Sequence, residues 1–236
     1  MQCRREFICY DEVVSTNDSL KYRIRKSHYP VVTAERQTGG KGRLGRNFFS
    51  SGGIYFSVPY TLTGKEKHIP FLTLAAGIAV HRALLSLFRL NGEIKWPNDI
   101  YVDDRKLVGI LTELVSFPSL TAIVGIGINI DNQFPTDISH KATSLSMYSS
   151  YIDKYDLVAQ IVQNLDDIVL RNNALNHPEY FKSELLSNSY TLGKRVTLHG
   201  EVGIAVDITE DGLLVVAFPD GRQVSVLSGE VDIKYD

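Results

Sequence analysis

Cysteine is scarce in this chain: 236 residues hold two, Cys3 and Cys9. Both fall in the first strand-like segment. Side chains alternate along a strand, so positions 3 and 9 share a side but lie too far apart to bond each other. A disulfide scaffold is thereby excluded, and two reduced thiols packed as small apolar residues in a cytosolic protein are expected. Charge excess is equally lacking. Twenty-five Lys and Arg stand against 27 Asp and Glu, for a formal charge of -2. Broad, non-specific nucleic-acid binding relies on a cationic surplus that is missing here. No apolar run approaches membrane-spanning length. Residues 1–10 carry early charge without an apolar core or a small-residue cleavage site, so no signal peptide is expected. Internal repeats and low-complexity segments are also missing. What is present is ordinary for a globular protein, 44% hydrophobic and 22% charged residues, in a length that suits one sizeable domain plus a small one.

The pattern along the chain alternates strands and helices. Glu6 to Tyr10 reads as a strand. Ser15 to Asp18 has capping-box spacing ahead of a helix to about Lys26. Val31 to Glu35 reads as the next strand. Gly53 to Tyr60 sets Ile54, Phe56 and Val58 against Tyr55 and Ser57, the alternation of a half-buried strand. Residues 69–88 are long and apolar with helical spacing, which predicts a central helix packed on a sheet. Strands are expected over Glu93 to Trp96, Leu107 to Val115 and Leu120 to Ile130. The last of these is thinned by Gly125 and Gly127, as where a ligand or another backbone comes close. A polar loop spans Asp131 to Ser150, and helices are predicted over 153–171 and 178–186. After Tyr190 come four short strands, with hairpin signals at Glu210-Asp211-Gly212 and Pro219-Asp220-Gly221. That tail reads as a small barrel on an α+β domain, with domains at 1–189 and 190–236.

Between the second and third strands runs Gly39-Gly40-Lys41-Gly42-Arg43-Leu44-Gly45-Arg46, with four glycines and three cations. Residues 40–45 match G-x-G-x-x-G, yet no helix can open well on the following Arg46-Asn47-Phe48-Phe49, so the dinucleotide fingerprint fails in context. A P-loop fails too, because Arg46-Asn47 stands where Lys-Ser/Thr is required. Taken alone, the loop is as well read as a solvated surface loop as an anion site.

Its company shifts that balance. Ser15-Thr16-Asn17 and Gln37-Thr38 precede it. Lys95-Trp96-Pro97-Asn98-Asp99, Lys106-Leu107-Val108-Gly109-Ile110-Leu111 and Gly125-Ile126-Gly127-Ile128-Asn129 follow, with Ala142-Thr143-Ser144-Leu145 later. Lys95 and Lys106 lie on or beside buried strands, where a lysine needs a partner or ligand; taken by itself, Lys106 reads better as a snorkelling surface residue. Trp96 is read as core packing.

Taken together, these motifs resemble those of the biotin protein ligases, and the resemblance covers nearly the whole chain. It implies an α+β fold, with a mixed β-sheet and helices on one face as in class II aminoacyl-tRNA synthetases and biotin ligases, and a small C-terminal SH3-like β-barrel. It implies an ATP-dependent activity in which biotin becomes biotinyl-5'-AMP and is then transferred to a lysine of a biotin carboxyl carrier domain. ATP, biotin and Mg2+ are the implied small molecules, and no residue is assigned to a resident metal. By the same resemblance, Lys106, Arg43 and Asp99 are catalytic. Lys106 and Arg43 neutralise the carboxylate and the α-phosphate, and Asp99 either receives or orients the incoming amine or, with equal weight, is a carboxylate that orders its loop. Ser15, Thr16, Asn17 and Gln37 hold the ureido ring of biotin, with Lys41, Gly42, Arg43, Lys106 and Gly109 at its carboxylate end. Lys41, Arg43, Arg46, Phe48, Lys95, Asn98, Lys106 and Asn129 face ATP.

Two positions depart from the family pattern. Lys41 replaces the usual first arginine of the loop, giving a point charge in place of a two-pronged fork. Phe48 replaces a frequent tryptophan and can cover a ligand without donating an N–H. Some family members carry an N-terminal DNA-binding domain; this sequence starts its first strand within ten residues, so no repressor function and no nucleic-acid partner are expected. No membrane partner is expected either, the location is expected to be cytoplasmic, and pairing through the sheet makes a homodimer an open state. Competing readings are a lipoate or octanoate ligase or transferase, a biotin-binding module without activity, and a nucleotide-binding regulator. The motif at 95–99 together with the loop weighs against the first, as does the position of both cysteines outside every motif.

Overall fold

The structure is a computed structural model and describes residues 5–45, 48, 50–227 and 231–232. Cys3 lies outside the described residues, as do Arg46, Asn47 and Phe49 of the loop. Seven strands form the main sheet: β1 (Phe7–Val13), β2 (Val31–Gln37), β3 (Gly53–Thr61), β4 (Glu93–Lys95), β5 (Asp99–Val102), β6 (Arg105–Val115) and β7 (Thr121–Asn129). Their spatial order is β1-β2-β3-β7-β6-β5-β4. Only β1 and β2 run parallel, joined through helix α1 (Thr16–Ile24); every other pair is antiparallel. The sheet is therefore mixed, as expected.

Strand register assigns two faces. One carries Val31, Ile54, Phe56, Val58, Val124, Ile126, Val108 and Ile110, and it packs under α2 (Phe71–Phe88) and α3 (Lys154–Asp166) in the main core. α2 is 18 residues with mean hydropathy 1.7, long and apolar enough by composition to cross a bilayer, so the expectation that no run approaches that length needs amending. Here 67% of it is buried inside the protein as the core helix. α3 starts at Asp153, whose carboxylate accepts from the Tyr155 and Asp156 N–H groups, the usual remedy for unpaired donors at a helix start. It passes into a π-helical turn over Asp167–Arg171, inside the range predicted as one helix.

The opposite face is covered by α1, whose Leu20 and Ile24 pack with Val32 and Ile123 in a separate small cluster. Helices thus lie on both faces, not one. α1 and Phe48 cover the second face, Ser57 bonding Thr16 and Asn17 and the Phe48 ring standing edge-on to Tyr55, so β3 is buried on both sides: Tyr55 and Ser57 are as inaccessible as Ile54 and Phe56. The half-buried reading of this strand missed that cover. Cys9 also departs from expectation. It is exposed on β1 and free, not packed as a small apolar residue.

The tail folds into a five-stranded antiparallel sheet, ordered β11 (Gln223–Val226), β10 (Leu214–Ala217), β9 (Glu201–Ile208), β8 (Arg195–Leu198) and β12 (Val231–Asp232), consistent with an SH3-like domain. Gly212 and Gly221 take φ of 77° and 86° in the two turns read from sequence, a conformation glycine adopts without a Cβ clash. The two parts are tied together at β4. Ile94 bonds the backbone of Asn188 and Tyr190, Trp96 N–H donates to Thr191 Oγ1, and the Trp96 indole N–H donates to Gly212 O at 2.9 Å. Trp96 is core packing, as read, and also the pin between the tail and the sheet. α4 (Glu179–Ser187) precedes this joint.

Truncating a fully buried leucine removes transfer energy and leaves a cavity. Leu20→Ala is expected to lower unfolding free energy by about 2–5 kcal/mol, read from urea unfolding; a loss within error of zero would mean that α1 is not held by this cluster.

Candidate active site

The face under α1 carries the site. Ser15 closes the start of α1, accepting from the Asp18 N–H, and so fixes the two residues that follow. The Thr16 N–H donates to Gln37 Oε1 at 2.8 Å, and the Thr16 hydroxyl lies 3.2 Å from the same oxygen. Ser57, on β3, donates to Asn17 Oδ1 at 2.6 Å and lies 2.8 Å from Thr16 Oγ1. Asn17 Nδ2 donates to Glu113 Oε2 at 2.7 Å, and Glu113 also accepts from Lys21. Gln37 Nε2 donates to Ser50, which donates to Phe48 O. Ser15, Thr16, Asn17, Ser50 and Ser57 are all buried. Buried polar groups tied to one another in this way are stiff, and they form a cradle of fixed donors and acceptors.

A row of paired residues crosses the sheet beside the cradle. Ala34 pairs with Tyr55, Tyr55 with Gly127, Gly127 with Gly109, Gly109 with Asp99, and Asp99 with Lys95. The neighbouring row joins Ser57 to Gly125 and Gly125 to Leu111. Three glycines therefore meet on one face. A Cβ on Gly125 would stand 2.4 Å from Asn17 Oδ1, and one on Gly109 or Gly127 would stand 2.6 or 2.7 Å from the Phe48 ring. Their lack of side chains makes a floor, and Phe48 lies on it. At about 4.8 Å per strand, three steps from β3 to β5 make a slot of about 14 Å from the cradle to Asp99.

Charge waits at the far end. Lys106 Nζ sits 2.6 Å from Asp99 Oδ1 and 5.6 Å from the centre of the Phe48 ring. Its backbone is braced on both sides: its N–H donates to Lys141 O, its O accepts from the Thr143 N–H, and that O also accepts from Asn129 Nδ2 at 3.3 Å. The motif at 142–145 is thus a brace for Lys106, and Thr143 and Ser144 are buried inside what reads as a polar loop. Asn98 is locked by Nδ2 to Ile110 O at 2.9 Å, and its Oδ1 faces Arg43 Nη1 at 3.5 Å. Lys95 donates to the Tyr101 hydroxyl at 2.9 Å. Burial pushes the Lys95 ammonium down to about 8; Asp99 opposes that shift, and the charges of Lys106 and Lys194 add to it.

Residues read from sequence thus gather in two groups joined by the glycine floor. Ser15, Thr16, Asn17 and Gln37 form the cradle; Arg43, Phe48, Lys95, Asn98, Asp99, Lys106, Gly109 and Asn129 form the charged end. Lys41 is in neither. It is exposed and paired with Asp18 Oδ2 at 2.7 Å, tying the loop to the first turn of α1. Burial raises the Asp18 carboxyl, and the bonds from Lys41 and Lys21 outweigh this and leave it below its ordinary value. Gly42 is half-buried in the loop beside the three-residue 3-10 turn Arg43–Gly45. Arg46 lies outside the described residues. Sequence reading missed Ser50, Ser57 and Glu113. Ser57 carried a signal, as a polar residue in the middle of an apolar strand.

Comparison with known proteins shows which chains this one is similar to. The family model described as "Biotin/lipoate A/B protein ligase family" matches residues 10–131, and the one described as "Biotin protein ligase C terminal domain" matches residues 191–234. The chain is 30% identical over 244 residues to the bifunctional ligase/repressor BirA of Bacillus spizizenii, covering 97% of this chain and 74% of that protein. It is 32% identical over 219 residues to the biotin--[acetyl-CoA-carboxylase] ligase of Mycobacterium tuberculosis, covering 85% of this chain and 77% of that one. The solved structure of the Aquifex aeolicus biotin protein ligase in complex with biotin and ATP superposes with a TM-score of 0.85 at 30% identity, over 99% of this chain and 100% of that one.

The floor predicts a steric outcome. In Gly125→Ala the new methyl must expel the Asn17 amide, breaking its bonds to Ser57 and Glu113. The variant is expected to lose about 1–3 kcal/mol of stability and to show Asn17 in a new rotamer in its crystal structure. An unmoved Asn17 would contradict the packing described.

Proposed function

The chain belongs to the biotin/lipoate A/B protein ligase family, and from that premise we propose how its residues carry the reaction. Its activity is that of a biotin protein ligase using biotin and ATP. The observation that carries the residue assignment is the Lys106–Asp99 pair at the end of the glycine floor, opposite a neutral polar cradle.

Biotin has a neutral ureido ring at one end and a carboxylate at the other. The ring suits Thr16, Asn17 and Gln37, because a site built of fixed donors and acceptors rejects molecules that leave those groups unpaired. Ser15 and Ser57 set their positions. The hydrocarbon chain crosses Gly125, Gly127 and Gly109, and Phe48 lifts from the floor to cover it. The carboxylate then reaches Lys106 and Arg43. In the first step a carboxylate oxygen attacks the α-phosphorus of ATP, the bond to the β-phosphate oxygen breaks, and pyrophosphate leaves. Both reactants are anions, so the two cations lower the barrier by neutralising charge as the atoms close. Asn98 holds the guanidinium of Arg43, Asn129 holds the Lys106 backbone, and Lys95 extends the positive field along the phosphates.

In the second step a lysine amine of a biotin carboxyl carrier domain attacks the carbonyl carbon of the mixed anhydride. The C–N bond forms, the C–O bond to AMP breaks, and the amine proton passes to Asp99, which lies at the reacting end. The carrier belongs to a biotin-dependent carboxylase; a relative named for acetyl-CoA carboxylase supports that choice. Among the described residues no group of three His, Cys, Asp or Glu side chains is placed to hold a metal ion. Mg2+ would enter as the counter-ion of ATP, bound through the substrate rather than through a resident set of side chains, and would supply charge neutralisation there. The exposed free thiol of Cys9 supports a reducing, cytoplasmic setting.

The purified protein mixed with ATP, Mg2+ and one acid at a time is expected to release pyrophosphate with biotin. Release with lipoate or octanoate and none with biotin would transfer the assignment to that branch of the family.

A further inference from the structure

The polar cradle has a direction, set by where its protons lie. Glu113, half-buried on β6, accepts from Asn17 Nδ2 at 2.7 Å, and its other oxygen accepts from Lys21 Nζ at 2.8 Å. A carboxylate paired with lysine accepts and has no proton to give. It therefore turns the Asn17 amide one way, with Nδ2 toward Glu113 and Oδ1 toward Ser57.

The remaining protons follow from what each partner can do. Ser57 has one hydroxyl proton and two short contacts. Asn17 Oδ1, 2.6 Å away, can only accept, so the Ser57 proton goes there. The 2.8 Å contact between Ser57 Oγ and Thr16 Oγ1 is then closed by the Thr16 proton. Gln37 Oε1 lies farther from the Thr16 hydroxyl, at 3.2 Å, and is already served by the Thr16 N–H at 2.8 Å. Thr16 Oγ1 is left with a lone pair to offer. Thr16, Asn17 and Ser57 are all buried, so bulk water does not scramble this order. An amide in place of Glu113 would present either an oxygen or an NH2 to Asn17. Asn17 could then turn its own NH2 to Ser57, Ser57 would donate to Thr16, and Thr16 would present a proton instead.

We propose that Glu113 is a specificity-determining positioning residue: through Asn17 and Ser57 it makes Thr16 Oγ1 an acceptor, and so selects a ligand ring that brings an N–H to that point. Glu113 itself need not touch the ligand. The inference rests on the ligase reading, in which that ring is the ureido ring of biotin, and it adds which atom of the cradle must accept and what makes it do so.

The probes are biotin and its two cyclic carbamate analogues, in each of which oxygen replaces one ureido N–H. One of the two sets an oxygen against Thr16. The wild type is expected to bind biotin at least about a hundredfold more tightly than that isomer in calorimetry. In Glu113→Gln this ratio is expected to shrink at least about tenfold, while kcat for pyrophosphate release at saturating biotin stays within about threefold, because the Lys106 end is untouched. Ser57→Ala cuts the same chain at its middle and is expected to shrink the ratio alike; it judges the inference if Glu113→Gln does not fold. The two changes combined are expected to do no more than either alone, a non-additivity that independent losses of stability would not give. Lys21→Gln leaves the carboxylate in place and is expected to keep the wild-type ratio. A ratio within threefold of wild type in folded Glu113→Gln or Ser57→Ala would overturn the proposal. So would an equal collapse in Lys21→Gln, which would assign the effect to the ion pair, or a wild type that binds biotin no more tightly than either carbamate. A wild type that releases no pyrophosphate with biotin would defeat the ligase reading, and the calorimetric ratio would still judge the role of Glu113.

Discussion

A carboxylate and a phosphate repel each other, and Lys106 is where this chain places the charge that lets them meet. The lysine is useful only if its ammonium stays put. Asp99 holds it at 2.6 Å from the facing strand, and its backbone is bonded on one side to Lys141 and on the other to Thr143 and Asn129. That geometry needs β5 beside β6 and the 142–145 segment beside both. β4 in turn needs the tail, because Trp96 is pinned to Thr191 and Gly212. Distant parts of the chain thus converge on the position of one ammonium group.

The second constraint is room. Asn17 can reach across to Glu113 only because Gly125 has no side chain, and Phe48 can lie on the sheet only because Gly109 and Gly127 have none. The same lack of side chains that weakens a strand in isolation opens a slot between the cradle and the charge. The sheet survives three such positions because its other face is packed under α2 and α3.

Much of this was visible in the chain before any coordinates. The glycine-rich loop, the run at 95–99, the Lys106 strand and the glycine-thinned strand each announced themselves locally, as did the cap at Ser15 and the two hairpin turns of the tail. What stayed hidden depends on register between distant strands. No local pattern says that Gly109 will face Gly127, or that Asp99 will stand over Lys106; both follow from pairings between separate segments. β5 was missed because its four residues sit between a turn motif and Asp103-Asp104 and lack the length that makes a strand legible. Ser57 reads as the polar half of an alternation until α1 is laid over it. The pairing of Lys41 with Asp18 was equally invisible, since it joins a loop to a helix through two flexible side chains.

The central claim is that Lys106 stabilises charge as the acyl–phosphate bond forms, over and above any part it takes in holding biotin. Single-turnover formation of biotinyl-5'-AMP, followed by acid quench, isolates that step. In Lys106→Gln the rate is predicted to fall by about 10²–10³-fold, a barrier increase of about 3–4 kcal/mol, while biotin affinity stays within a few-fold of wild type. An unchanged rate would contradict the account, and so would a loss confined to biotin binding.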